Sequence, residues 1–120
     1  MLRRRVRGGR LTPAMFQILV SLADGEKHGY AIIKDVARRT NGAVRLHTAT
    51  LYSAIRRFAA DGLIQETDNR PDPALDDERR RYYRLTPRGH AAAVAEAERL
   101  ATLAAEARSR LIPATRRGRS

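Results

Sequence analysis

Thr50-Leu51-Tyr52-Ser53-Ala54-Ile55-Arg56-Arg57-Phe58-Ala59-Ala60-Asp61-Gly62-Leu63 is the stretch of this chain that decides its fold. Leu51, Ile55 and Phe58 recur at intervals of four and three, the spacing of one helix face, and Asp61-Gly62 stops the helix. The other side presents Thr50, Ser53, Arg56 and Arg57, all hydrogen-bond donors. Thr48 or Thr50 supplies the N-cap. A buried stripe opposite a face of donors and cations is what a helix needs to read base edges in a major groove.

Upstream, two more short helices are expected. Met15, Ile18, Leu19 and Leu22 fall at helical spacing behind Thr12-Pro13, a cap followed by proline at the first helical position, and Asp24-Gly25 closes the segment. After a polar turn, Tyr30, Ile33, Val36 and Ala37 repeat at three and four and end at Asn41-Gly42, a pair suited to a left-handed C-terminal cap. Downstream the period changes. Leu63 to Thr67 is strand-compatible, and Arg81, Tyr83 and Leu85 alternate with Tyr82 and Arg84, giving a β-hairpin with a long, mobile tip that contains Pro71 and Pro73. Thr86-Pro87 repeats the cap-plus-proline signal and starts an alanine-rich helix that runs to about Leu111 before Pro113 ends it. The expected fold is mainly α with a small β-hairpin, a winged helix-turn-helix plus a C-terminal helix. Its expected divisions are a disordered basic arm (1–10), the winged unit (11–86), the last helix (87–112) and a disordered basic tail (113–120).

In the last helix Ala97, Ala104 and Leu111 lie seven apart, as do Ala93, Leu100 and Ala107, and Val94, Ala101 and Leu103 widen the seam. Twenty-five residues span about 37 Å at 1.5 Å each, more than so small a body can cover. A second copy of the chain is the expected partner for Val94, Ala97, Leu100, Ala101, Ala104, Ala107 and Leu111, the alternative being a fold-back onto the chain's own domain.

Of 120 residues, 24 are Lys or Arg and 13 Asp or Glu, a formal charge of +11. Five arginines lie in residues 1–10 and three in 113–120, with no acid in either. Inside the body, Lys34 to Arg57 holds six basic groups against Asp35, and Arg79 to Arg88 holds five with no acid. Between them, Phe58 to Glu78 holds seven acids against Arg70, so two basic patches flank an acidic stretch, as on a surface that meets a polyanion at two points.

Other chemistries find little support. The chain has no cysteine, which excludes disulfides, Cys-type zinc sites and a thiol nucleophile. His28, His47 and His90 are too dispersed for a metal site. Asp72, Asp76, Asp77 and Glu78 sit in a proline-containing loop that cannot hold carboxylates in catalytic geometry. There is no glycine-rich phosphate loop or serine elbow, so neither an enzyme nor a cofactor is expected. Ala14 to Ala23, broken by Gln17 and Ser21, is about half the ~20 residues of a membrane span; no membrane partner and a cytoplasmic location are expected.

The order of motifs resembles the PadR-like transcriptional regulators. The resemblance rests on Leu19 to Leu22, His28-Gly29-Tyr30-Ala31-Ile32, Thr50-Leu51-Tyr52 with Ile55 and Phe58, Asp61-Gly62-Leu63-Ile64, and Arg80-Arg81-Tyr82-Tyr83-Arg84-Leu85-Thr86-Pro87-Arg88-Gly89, over roughly residues 11–90. Ser53 stands where the family commonly has proline and Ala49 where it often has glycine, which alters the start of the recognition helix. The N-terminal arginine arm is not explained by the resemblance. What the resemblance implies is a winged-helix repressor, dimeric through its last helix, released from DNA by a small, often aromatic or phenolic, effector near the dimer interface. Tyr52 looks like the family's helix-three tyrosine, which usually touches the DNA backbone.

The candidate DNA contacts are thus His47, Thr48, Thr50, Tyr52, Ser53, Arg56 and Arg57 on the recognition helix and Arg79, Arg80 and Arg81 in the wing. Arg56 and Arg57 pair with phosphates or with guanine O6 and N7, and Thr48 suits a phosphate. The expected function is a homodimeric regulator of double-stranded DNA, a repressor at an inverted repeat. The alternatives are a nonspecific basic nucleoid- or RNA-binding protein, and a protein-interaction module with a vestigial DNA surface. Six aromatic residues in the whole chain argue against a large aromatic-lined effector cavity.

Overall fold

The computed structural model describes residues 11–67 and 81–112. Helix α1 (Pro13–Ser21) begins as its sequence requires, with the Thr12 hydroxyl accepting the Met15 N–H at 3.1 Å. It buries Ile18, Leu19 and, just beyond its end, Leu22. The segment expected as a polar turn then forms a two-residue strand, β1 (Lys27–His28), antiparallel to Tyr82 and Tyr83. Two residues are too few to show an alternating pattern.

Helix α2 (Gly29–Arg39) starts at His28, whose Nδ1 accepts the Ala31 N–H at 3.1 Å while its ring stands edge-on to Tyr82 at 5.3 Å between centroids. Its buried stripe is Gly29, Ile32, Asp35 and Val36; of the expected positions Val36 is buried, Ile33 and Ala37 are half-buried, and Tyr30 is exposed with the Lys34 ammonium 5.3 Å over its ring, so the stripe is turned by about one position. The period was right and the phase was set by packing, because a Cβ at Gly29 would overlap the Tyr52 hydroxyl, so this side must face the third helix. At the other end Asn41 (φ +53°) and Gly42 (φ +81°) adopt the left-handed cap, the Gly42 N–H reaching Ala37 O at 2.7 Å. Thr40 ties the following turn by donating to Val36 O and accepting from the Val44 N–H.

Helix α3 (Thr48–Ala60) buries Leu51, Ala54, Ile55 and Phe58 and ends at Asp61 and Gly62, where φ is +77°. Neither Thr48 nor Thr50 caps it. The N-cap position belongs to His47, which makes no side-chain capping bond. Strands β2 (Ile64–Thr67) and β3 (Tyr82–Leu85) pair antiparallel with Ile64 opposite Leu85 and Thr67 opposite Tyr82, in a sheet of order β1-β3-β2. The hairpin therefore has a third strand that the expectation lacked. Its tip, with Arg79, Arg80 and the acids Asp72, Asp76, Asp77 and Glu78, lies outside the described residues.

Helix α4 (Pro87–Leu111) is capped by Thr86, whose hydroxyl accepts the Gly89 N–H at 2.9 Å and donates to Gly62 O at 2.6 Å. A Cβ at Gly89 would run into the Leu63 carbonyl, so only glycine lets the helix start this close to the turn after α3. The first turns of α4 pack on α1 and β3. The result is a winged helix-turn-helix with a long terminal helix.

The core is one cluster in which Phe58, Ile18, Leu19, Ile32, Leu51 and Val36 are almost wholly buried, joined by Ile64 and Tyr83 from the sheet. Each such side chain contributes about 1.5–3 kcal/mol of transfer free energy. Phe58→Ala is expected to cost about 3–5 kcal/mol, a large part of the ~5–15 kcal/mol available to a domain, and to be read as a large fall in denaturation midpoint. A loss under about 1 kcal/mol would show that α3 is not the element the core is built on.

Candidate nucleic-acid interface

Because Leu51, Ala54, Ile55 and Phe58 point inward, the outer side of α3 is set by geometry: Thr48, Thr50, Ser53, Arg56 and Arg57 are all exposed, with His47 beside the helix start. Helices α1, α2 and α4 each have a side-chain cap and α3 has none, so its first N–H groups face outward without a side-chain acceptor. Tyr52 departs from this face. It is half-buried, packed on the core, with its hydroxyl over Gly29.

The two adjacent arginines diverge, since successive residues on a helix are about 100° apart. Arg57 points toward α1, where it borders a groove with Thr12, Met15 and Ser53. Arg56 points toward the sheet, where it borders a cleft of about 200 Å³ with Tyr52, Ile55, Tyr83 and Arg81. The structure thus brings Arg81 to Arg56 across the wing boundary. Arg81 is held by Glu66 at 3.4 Å, both half-exposed, and Arg84 donates to Gln65 at 3.3 Å on the neighbouring strand.

The local charge differs from a count of side chains. Arg38 and Arg39, two of the six basic groups between Lys34 and Arg57, belong to a knot around Asp35. Arg38 Nη2 donates to Asp35 Oδ1 at 2.7 Å, Arg39 Nε to Oδ2 at 2.9 Å, and the buried Ser21 hydroxyl to Oδ2 at 2.8 Å. Arg39 continues to Gln17 Oε1 at 2.8 Å, which braces α2 against α1. Burial pushes the Asp35 carboxyl up, but the Ser21 hydroxyl and the Arg39 guanidinium outweigh it and hold the group below its ordinary 3.8. Sequence reasoning missed this knot, although Asp35 with arginines at i+3 and i+4 was a legible signal. Arg45, Arg56 and Arg57 are left as the exposed cations on the α3 side of the turn that make no ion pair with a described residue.

On α4 the expected seam is uncovered. Leu103 is 52% and Leu111 78% exposed, Val94, Ala97, Leu100, Ala101 and Ala104 are also exposed, and Ala107 is half-buried. Glu96 is buried and accepts two bonds from Arg99. Among the described residues no group of His, Asp or Glu is placed to hold a metal ion, and no helix is long and apolar enough to cross a membrane.

A helix-turn-helix carried on a three-stranded wing, with donors and cations on the outer side of its second helix, defines the class of winged-helix transcriptional regulators. Residues 18–95 match the transcriptional regulator PadR-like family, and the chain belongs to that family, whose members are regulators of transcription and not enzymes. It is 35% identical over 89 residues to the transcriptional regulator Rv3488 of Mycobacterium tuberculosis, covering 74% of this chain and 77% of the relative. Among solved structures it is similar to a transcriptional regulator from Clostridium thermocellum, with a TM-score of 0.67, 27% identity, and 83% of this chain and 90% of that one covered. It is also similar to Bordetella bronchiseptica BpsR, whose DNA binding is regulated by 6-hydroxynicotinic acid, with a TM-score of 0.62, 28% identity and coverage of 88% and 71%.

The depressed Asp35 fixes the sign of an acid effect. A carboxylate whose folded pKa lies below its unfolded one adds stability above about pH 4 and loses it as pH falls through the folded value. Asp35→Asn is expected to flatten the acid-side fall in Tm below pH 4 and to lower Tm at pH 7; parallel pH profiles for the two proteins would remove the knot from the account.

Proposed function

We propose that the chain is a homodimeric repressor that binds an inverted-repeat sequence in double-stranded DNA, with residues 11–86 as the DNA-binding unit and 87–112 as the dimerisation helix. The observation that carries this reading is the division of α3 into a buried face and a fully exposed face of Thr48, Thr50, Ser53, Arg56 and Arg57. Placed in a major groove, this face offers Arg56 and Arg57 to guanine O6 and N7 or to phosphates. The uncapped start of α3, with His47 and Thr48, suits a phosphate oxygen. Tyr52 reaches the DNA backbone with its ring edge, and Arg81, with Arg79 and Arg80 beside it in sequence, serves the flanking phosphates. A DNA target places this work in the cytoplasm.

The exposed seam supports dimerisation, since an uncovered apolar stripe of this length is costly in water. Two recognition helices related by a two-fold axis would then enter successive major grooves about 34 Å apart. A small-molecule effector that releases the protein from DNA completes the proposal, as 6-hydroxynicotinic acid regulates the DNA binding of BpsR.

Selection from random duplexes tests the reading directly. The expected result is a palindromic motif with half-sites about ten base pairs apart, preferred over bulk DNA by ~10³ or more. A preference near one, with no motif recovered, would support a nonspecific basic nucleic-acid-binding protein instead. On the selected site, Arg56→Ala and Arg57→Ala are each expected to cost about 1–3 kcal/mol, with relaxed base preference if a base is read and a shallower salt slope if a phosphate is held. Leu100→Glu is expected to yield a monomer by sedimentation and weak duplex binding; a variant that sediments as the wild-type dimer contradicts the seam.

A further inference from the structure

The groove between α1 and α3 has no role in the fold that its neighbours explain. Its lining is largely apolar, with Ala14, Met15 and Ile18 from α1, Leu46 from the turn and Ala49 and Ala54 from α3, three of these six being alanines with short side chains. It is an open groove with a volume of about 410 Å³, within the ~300–1,000 Å³ of small-molecule sites. Thr12, Thr50 and Ser53 add hydroxyls to the lining, and Arg57, which makes no ion pair with a described residue, adds a guanidinium. Ala49 and Ser53, where the sequence departs from the family pattern, are both part of this lining.

This combination specifies the chemistry of an occupant. An apolar lining takes a hydrocarbon body, and a guanidinium with no carboxylate partner among the described residues, beside hydroxyl groups, takes a carboxylate through charge-assisted, bidentate bonding. No aromatic ring lines the groove, so the body has no stacking partner and a saturated one fits as well as a planar one. We propose that the groove between α1 and α3 binds a small carboxylic acid with a compact apolar body, its carboxylate on Arg57, and that bound acid excludes DNA by occupying Thr50, Ser53 and Arg57 of the recognition helix. The exclusion is direct. Three groups assigned to DNA form one side of the groove, so acid and duplex compete for the same atoms and no change of subunit arrangement is needed. Only this exclusion rests on the DNA-binding reading; binding of the acid does not.

The chain contains two methionines, Met1 and Met15, and the second lies in the groove, so methyl-¹³C-methionine labelling of the full chain gives a two-signal report. Cyclohexanecarboxylate is the probe, cyclohexylmethanol its neutral counterpart, and acetate at equal ionic strength the control. The expected result is a saturable shift of the Met15 methyl signal, and affinity at least about tenfold weaker for the alcohol and for the acid on Arg57→Gln, the scale of one lost charged bond. A Met15 signal that does not move up to about 10 mM acid, a span that covers millimolar affinity, overturns the site. Equal binding of acid and alcohol overturns the role of Arg57. In the second arm, acid at its own Kd is expected to halve the apparent affinity of the wild-type protein for duplex relative to acetate, as competition for one site requires. Acid that binds without weakening the duplex overturns the exclusion, whereas a protein that binds no duplex at all overturns the DNA reading and leaves the Met15 titration to judge the groove.

Discussion

The seat of α3 depends on one close approach, between the Tyr52 hydroxyl and the bare α-carbon of Gly29. Two adjacent residues, His28 and Gly29, do four things there. The His28 backbone pairs with Tyr82 in the sheet, its ring abuts the same tyrosine, and its Nδ1 caps α2. Gly29 then admits Tyr52 and Leu51, so that wing, first helix of the motif and recognition helix are fixed to one another within two residues. A side chain at Gly29 forces α3 outward and disturbs all three contacts together, because close-packed interiors have no slack to absorb it.

Several cations of the described residues are tied to acids, which leaves few of them free beside the recognition surface. Asp35 ties Arg38 and Arg39 into the joint between α1 and α2, which offsets part of their charge. Glu66 holds Arg81 in the same manner, more loosely, at the boundary with the wing. What is left facing outward beside the recognition surface is Arg45, Arg56 and Arg57, and the helical turn between the last two sends one toward the sheet and the other toward α1. A pair of arginines that reads in sequence as one patch therefore serves two separate clefts. That division leaves Arg57 accessible from the α1 side without involving Arg56.

Most of the helical frame was legible because the signals that make it are local. Thr12-Pro13 and Thr86-Pro87 cap their helices within three residues, and Asn41-Gly42 and Asp61-Gly62 end theirs at positive φ. The Leu51, Ile55 and Phe58 stripe is a matter of spacing alone, and it named the inner face of α3 correctly. The phase of α2 was not legible in this way. Ile32 and Ile33 are chemically alike, and the choice between them was made by Gly29, through a contact with a residue more than twenty positions away.

From local chemistry alone, then, come the number and order of the helices, the caps that start α1 and α4, and which side of α3 is apolar. Tertiary structure supplied the third strand, the capping position of His47, the joining of Arg38 and Arg39 to the buried Asp35, and the groove beside Arg57. The physical reason is range. Capping and periodicity act between residues three or four apart on one backbone, whereas Ser21 meets Asp35, Gln17 meets Arg39 and Met15 faces Ser53 only after the core has closed and brought separate helices together.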